Sequence, residues 1–184
     1  VGELATRIAR EETNDQRKAV LFSVAGAALE NARKMRPNDE IMLRHYTAYL
    51  RAMGRDKEII EILGQKDKKD LLWHHYYERG QYEKAKAILE DLDEADTSDS
   101  RVIKGLGLVA ERTSDANATM KYTDELIAAE PTIDSYLIQI QSYLRVGLIK
   151  EAATKLQSFN EKHPDEPRTL LLRAWLEMRK GQLD

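Results

Sequence analysis

The run in this 184-residue chain that could cradle a phosphate is Gly105-Leu106-Gly107-Leu108-Val109-Ala110, which meets the spacing G-x-G-x-x-A. A carboxylate follows about twenty residues on, at Asp124 or Glu125, where a dinucleotide site keeps the acid that holds a ribose hydroxyl. That chemistry needs a strand before the first glycine, a helix opening at the loop, and the acid at the end of a second strand. Here both segments carry apolar residues at helical spacing, which puts the glycines in the interior of one helix and the acids in the next. The structural reading is preferred. Gly105 then weakens its helix by up to about 1 kcal/mol relative to alanine.

The histidines are His45, His74, His75 and His163. Neighbours on a helix point about 100° apart, so His74 and His75 cannot share a metal as an i, i+4 pair can. No Asp or Glu at ligand spacing completes a set, and no metal is expected. Most carboxylates stand near Lys or Arg, as in Glu83 with Lys84 and Glu151 with Lys155, the composition of a solvated helix face. Asn117-Ala118-Thr119 is a glycosylation sequon, too short a pattern to carry weight. No nucleophile stands by a base and no catalytic acids pair. The chain is expected to be no enzyme, with no catalytic residue and no cofactor.

Composition narrows the field further. With 29 Lys+Arg against 32 Asp+Glu the formal charge is −3, which argues against a general nucleic-acid binder. Charged residues make up 33 % and hydrophobic ones 42 %, with a mean hydropathy of −0.60. That is too apolar for a disordered chain and too polar for a membrane one; no apolar run reaches the roughly 20 residues that span a bilayer. Zero Cys removes disulfides, thiolate zinc sites and cysteine nucleophiles, and suits cytoplasm or periplasm equally. Nine Gly and four Pro are few for the turns of an all-β fold. The chain starts at Val1 and stops at Gly181-Gln182-Leu183-Asp184, so it reads as a segment of a longer protein.

The elements that would position any site repeat themselves. Met53-Gly54-Arg55-Asp56, Arg79-Gly80-Gln81-Tyr82, Val146-Gly147-Leu148-Ile149 and Lys180-Gly181-Gln182-Leu183 are alike, with a degenerate copy at Thr113-Ser114-Asp115. Gly80 and Gly147 stand 67 residues apart and Gly147 and Gly181 stand 34, whereas Gly54 precedes Gly80 by only 26. Each glycine divides two amphipathic runs. Tyr136, Ile140, Tyr143 and Leu144 recur before Gly147, and Ala152, Leu156 and Phe159 after it. Glycine there lets the first helix end left-handed, and Pro37, Pro131 and Pro164 each stop a second helix. Hairpins of two short helices cannot bury both apolar faces alone, so neighbours must stack.

These units resemble tetratricopeptide repeats, which are 34-residue helix–turn–helix motifs with small residues where helices touch. Leu72, Tyr76, Gly80, Tyr82, Ala85, Leu89 and Leu92 match one unit; Ile103, Leu106, Gly107 and Pro131 match the next. Tyr136, Tyr143, Gly147, Ala152, Phe159 and Pro164 match a third, and Leu170, Ala174 and Gly181 begin one cut off at its turn. Ala25, Ala28, Leu29, Ala32 and Pro37 look like a second helix whose partner has drifted. The resemblance implies an all-α, right-handed superhelical solenoid. It implies a degenerate hairpin over 1–38 and an array over 39–184, with units near 40–65, 66–99, 100–132, 133–166 and 167–184. Two joints depart from the pattern. One is the short helix Lys57 to Leu63 before Gln65-Lys66-Asp67-Lys68-Lys69-Asp70, read as a loop and N-cap rather than a first helical turn. The other is Glu94 to Ser100, which lacks proline but carries Ser and Asp caps.

In this family the first helix of each unit lines a concave groove that holds protein or peptide. By register the groove residues are Arg44, Ala48 and Arg51, then Asp70, His74 and Tyr77, then Arg101, Lys104, Leu108 and Arg112. Leu137, Gln141, Leu144 and Arg145 follow, then Leu171, Trp175 and Met178. Arg44, Arg51, His74, Tyr77, Arg101, Lys104, Gln141, Arg145 and Trp175 are the candidate contacts, as Arg and aromatic residues anchor interfaces. Solvated charge is the other reading of the cations, and cover for a further repeat the other reading of Trp175. Family members that hold acidic chaperone tails use Lys, Asn and Arg here; this chain has Arg44, Ala48, Asp70, His74, Lys104 and Leu108, without the Asn residues, so that clamp is not met. The resemblance implies a non-catalytic scaffold with a protein or peptide ligand, no nucleic acid and no membrane insertion. The alternatives are a regulatory or targeting appendage of an enzyme, such as a glycosyltransferase or a polysaccharide-export component, and a self-assembly module. The last would use Leu170, Leu172, Trp175 and Leu176 of the terminal helix to form a homo-oligomer.

Overall fold

Apolar spacing of 3.6, caps at the helix starts and glycines at the turns produce an all-helical chain. The computed structural model describes residues 2–64, 68–96 and 98–181, apart from the side chain of Ala95, and contains no strand among them. The chain forms two compact units, residues 1–75 and 76–184.

The first unit holds α1 (Gly2–Glu11), α2 (Asp15–Met35), α3 (Glu40–Ala52) and α4 (Asp56–Leu63). The partner helix of the degenerate hairpin is α1, which packs on both α2 and α3. The Asn14 side chain accepts from the N–H of Arg17 to start α2, and Asp39 accepts from Met42 to start α3. Ala25, Leu29, Leu43, Tyr46, Tyr49, Leu50, Ile59 and Leu63 are buried. Gly26 of α2 lies directly under the hydroxyl of Tyr49, whose ring is tilted on Phe22 and stacked on Tyr46. α4 is short, as its spacing predicts; Gln65, Lys66 and Asp67 lie outside the described residues. α5 (Lys69–Glu78) corrects the loop reading at its start, since Lys69 and Asp70 form its first helical turn, and it runs across the boundary between the units.

The second unit continues with α6 (Tyr82–Ala95), α7 (Ser100–Arg112), α8 (Ala116–Ala129), α9 (Ile133–Val146), α10 (Ile149–Lys162) and α11 (Arg168–Lys180). Consecutive helices pack pairwise, and α7 on α9 and α9 on α11 form a row of first helices. Asp99, Asp115 and Thr132 cap α7, α8 and α9. Pro131 and Pro164 follow the ends of α8 and α10. Between α9, α10 and α11 the core is Leu137, Ile140, Tyr143, Leu144, Ala152, Leu156, Phe159, Leu172 and Leu176.

Polar ties join the first helices one repeat apart. Arg112 Nε donates to Tyr77 Oη at 3.0 Å, Arg145 Nη1 to Glu111 Oε2 at 2.8 Å, and Arg168 Nη1 to Asp134 Oδ1 at 2.6 Å. Arg179 Nη2 adds a bond to the Leu144 carbonyl at 3.2 Å. These bonds span 35, 34, 34 and 35 residues, so each fixes one hairpin's register on the next.

The turns separate by backbone conformation. Gly54, Gly80 and Gly147 are left-handed, with φ of 69°, 69° and 85°. Gly181 departs from the expectation: it is right-handed at φ −69°, so its resemblance to the other copies does not extend to the turn itself. The degenerate turn does follow the pattern, because Ser114 takes φ 56° where glycine is missing. A non-glycine residue there costs about 1 kcal/mol. Ser114→Gly is therefore expected to stabilise the chain by about that amount, read as a higher urea midpoint with unchanged slope; a lower midpoint would contradict the left-handed turn.

Candidate peptide-binding groove

The phosphate-loop spacing dissolves in the structure. Gly105 and Gly107 are buried inside α7, and Asp124 and Glu125 lie on α8. Asn117 stands in the first turn of α8 with Thr119 buried, so the sequon is not on an open loop. His74 stacks on Trp73 at 3.6 Å, buried His75 has Nε2 3.8 Å from Asp56, His45 sits 3.4 Å from Glu3, and His163 lies against Phe159 at 4.7 Å. Among the described residues no three His, Asp or Glu converge as a metal site, and no helix is long and apolar enough to cross a membrane.

The first unit carries three candidate contacts. Arg44 on α3 is tied to Glu40 at 2.8 Å, Arg51 is half-buried on the same helix, and His74 lies on α5 against Trp73. The second unit carries the other six. α7 and α9 bring Lys104, Gln141 and Arg145 onto one cavity of about 180 Å³. Its apolar lining is Ile103, Leu108, Leu126 and Ile138, with Gly107 and Tyr122 beside them and Glu111 and Ser142 on the wall. Tyr77 accepts from Arg112, Arg101 stands outside on its own cap residue Asp99, and Trp175 of α11 lies 6.0 Å from the Arg145 guanidinium.

Two of the expected groove residues are placed elsewhere. Leu137 and Leu144 are buried in the core between α9, α10 and α11, because α9 is packed by neighbours on several sides. The α9 residues that line the cavity are Ile138, Gln141, Ser142 and Arg145. Register reasoning also missed Glu111. Its carboxylate is only 8 % exposed and accepts from Ser142 Oγ at 2.5 Å and Arg145 at 2.8 Å. The 34-residue spacing of an acid and a base, Glu111 and Arg145, was the signal available in the sequence.

The candidate cations of this unit, Arg101, Lys104 and Arg145, are therefore engaged. Lys104 Nζ binds Glu130 at 3.0 Å, and that bond, with one from Ser100, holds the Glu130 carboxyl below its ordinary value. Arg101 likewise lowers Asp99, and Arg168 lowers Glu166. A carboxylate depressed in the folded state stabilises above its unfolded pKa, and that contribution is lost as pH falls through the lower folded value. Thermal stability is thus expected to be flat near neutrality and to fall below about pH 4. Scans at descending pH check this, and a loss beginning nearer pH 6 would point to histidine instead.

Antiparallel hairpins whose first helices stack in a row define the helical-repeat solenoids as a class. Within that class the fold is that of tetratricopeptide repeats. A tetratricopeptide repeat protein from Parabacteroides merdae superposes with a TM-score of 0.64 over 97 % of this chain and 74 % of its own, at 15 % identity. No family model matches the sequence, and no curated protein matches it.

Proposed function

We propose that the chain is a non-catalytic scaffold that holds a protein or peptide segment in the groove formed by α7 and α9. The observation that supports this reading is the cavity lined by α7 and α9 and backed by Tyr122, Thr123 and Leu126 of α8, in which Lys104, Gln141 and Arg145 stand among mostly apolar residues. A fold of stacked hairpins presents extended concave surfaces suited to such ligands. In the first unit, Arg44, Arg51 and His74 are proposed to contribute a separate contact region; in the second, Tyr77, Arg101 and Trp175 are proposed to flank the cavity. Cross-linking tests this: a photo-reactive phenylalanine at Gln141 is expected to capture a partner in native lysate, and one at Lys121, an exposed residue of α8 outside the cavity, is not. Capture from Lys121 alone would place function on another face.

A second reading is favoured by α11, where Leu172 and Leu176, expected at a self-assembly surface, are buried in the core but Leu170, Leu171 and Met178 are 65, 74 and 62 % exposed. An apolar stripe of this kind buries itself readily against another copy. Sedimentation is expected to show concentration-dependent mass that Leu171→Glu abolishes. A monomer at high concentration ends this reading.

A further inference from the structure

We propose that the α7–α9 groove selects an uncharged segment by inserting one Leu, Ile, Met or Phe side chain into its cavity. This rests on the groove reading above and adds the chemistry of the occupant.

Charge comes first. The two cations at the cavity edge are already neutralised by acids of this chain, Lys104 by Glu130 and Arg145 by Glu111. The Glu111 carboxylate is buried and also holds Ser142, so Arg145 cannot leave it without stranding a charge away from water. An acidic ligand would exchange one ion pair for another and gain little. The four charged groups sum to zero, which suits a neutral occupant.

Shape comes second. The cavity of about 180 Å³ is larger than the apolar cavity of about 150 Å³ known to accept benzene, so one aliphatic or phenyl side chain fits. Its room comes from a missing side chain. Gly107 sits in the lining, and a Cβ there would meet only Tyr122 Cβ, at 3.8 Å. Ile103, Leu108, Leu126 and Ile138 supply the apolar walls. Burying one such group strengthens binding by roughly ten- to a hundredfold, enough to set the preferred residue at one position of a peptide.

The test is selection of a random peptide library, displayed on phage, against the 184-residue chain, followed by fluorescence anisotropy of the enriched peptides. The expected result is a Leu, Ile, Met or Phe at one fixed position with no enrichment of Asp or Glu. Gly107→Met, which fills the cavity with a better helix former than glycine, is expected to weaken binding at least about tenfold. Ile138→Trp narrows it from the other wall and should do the same. The paired change Lys104→Gln with Glu130→Gln, and a rise from low to high salt, are expected to change affinity by less than about twofold, because screening weakens only exposed charge attraction. Enrichment of acidic peptides that weaken with Lys104→Gln or with salt would overturn the proposal and leave the groove reading intact. Peptides that none of these substitutions affect bind elsewhere, which overturns both.

Discussion

Leu144→Ala is expected to lower the unfolding free energy by about 3 kcal/mol, whereas Gln141→Ala, three residues earlier on the same helix, costs under about 0.5 kcal/mol. Leu144 is 0 % exposed, in the core that α9 shares with α10 and α11, and its deletion leaves a cavity that these helices cannot collapse. Gln141 lines the open groove, where water replaces whatever the side chain loses. Urea unfolding monitored by helical ellipticity measures both. If the pattern were reversed, with Leu144→Ala harmless to folding and damaging to ligand binding, Leu144 would face the groove as simple register predicts and not the core between α9, α10 and α11.

The second large effect concerns two helix-interior glycines of opposite sign. Gly26→Ala is expected to destabilise the chain by about 1–3 kcal/mol, although alanine is the better helix former by about 1 kcal/mol. The added methyl would stand 2.9 Å from Tyr49 Cζ and closer still to its hydroxyl. That ring cannot swing away, because Tyr46 and Phe22 hold it and it is 6 % exposed. Gly107→Ala meets nothing nearer than 3.8 Å and is expected to stabilise by about 0.4–1 kcal/mol. Denaturant midpoints of the two variants on either side of the parent confirm the contrast. Both variants shifting the same way would remove it.

The contrast also marks what can be read from the residues alone. Recurrent glycines, proline stops and 3.6-residue spacing carry the helical hairpins, because backbone chemistry makes those features local. Ser114 kept the left-handed turn without a glycine, which shows that the flanking helices, more than the turn residue, impose that conformation. Gly26 and Gly107 look alike in sequence, and only the distance to Tyr49 or Tyr122 separates them. Leu137 and Leu144 fell on the wrong face because a helix with neighbours on several sides buries a broad arc, and a shift of one residue moves a side chain about 100° around it. The chemistry of the groove was harder still. Arg145 reads as a free cation until Glu111, a full repeat away, is found beneath it.

The bonds spanning one repeat give the second unit a graded mechanical behaviour. Tyr77–Arg112, Glu111–Arg145 and Asp134–Arg168 each fasten a hairpin to the one before it. Stretched between its ends in an optical trap, such a strip yields in steps, each releasing roughly 34 residues or about 120 Å of contour length. The step in which Arg145 leaves Glu111 also uncovers a carboxylate whose side chain is only 8 % exposed. A partner seated between α7 and α9 would strengthen that same step, so tension along the chain and occupancy of the groove would report on each other.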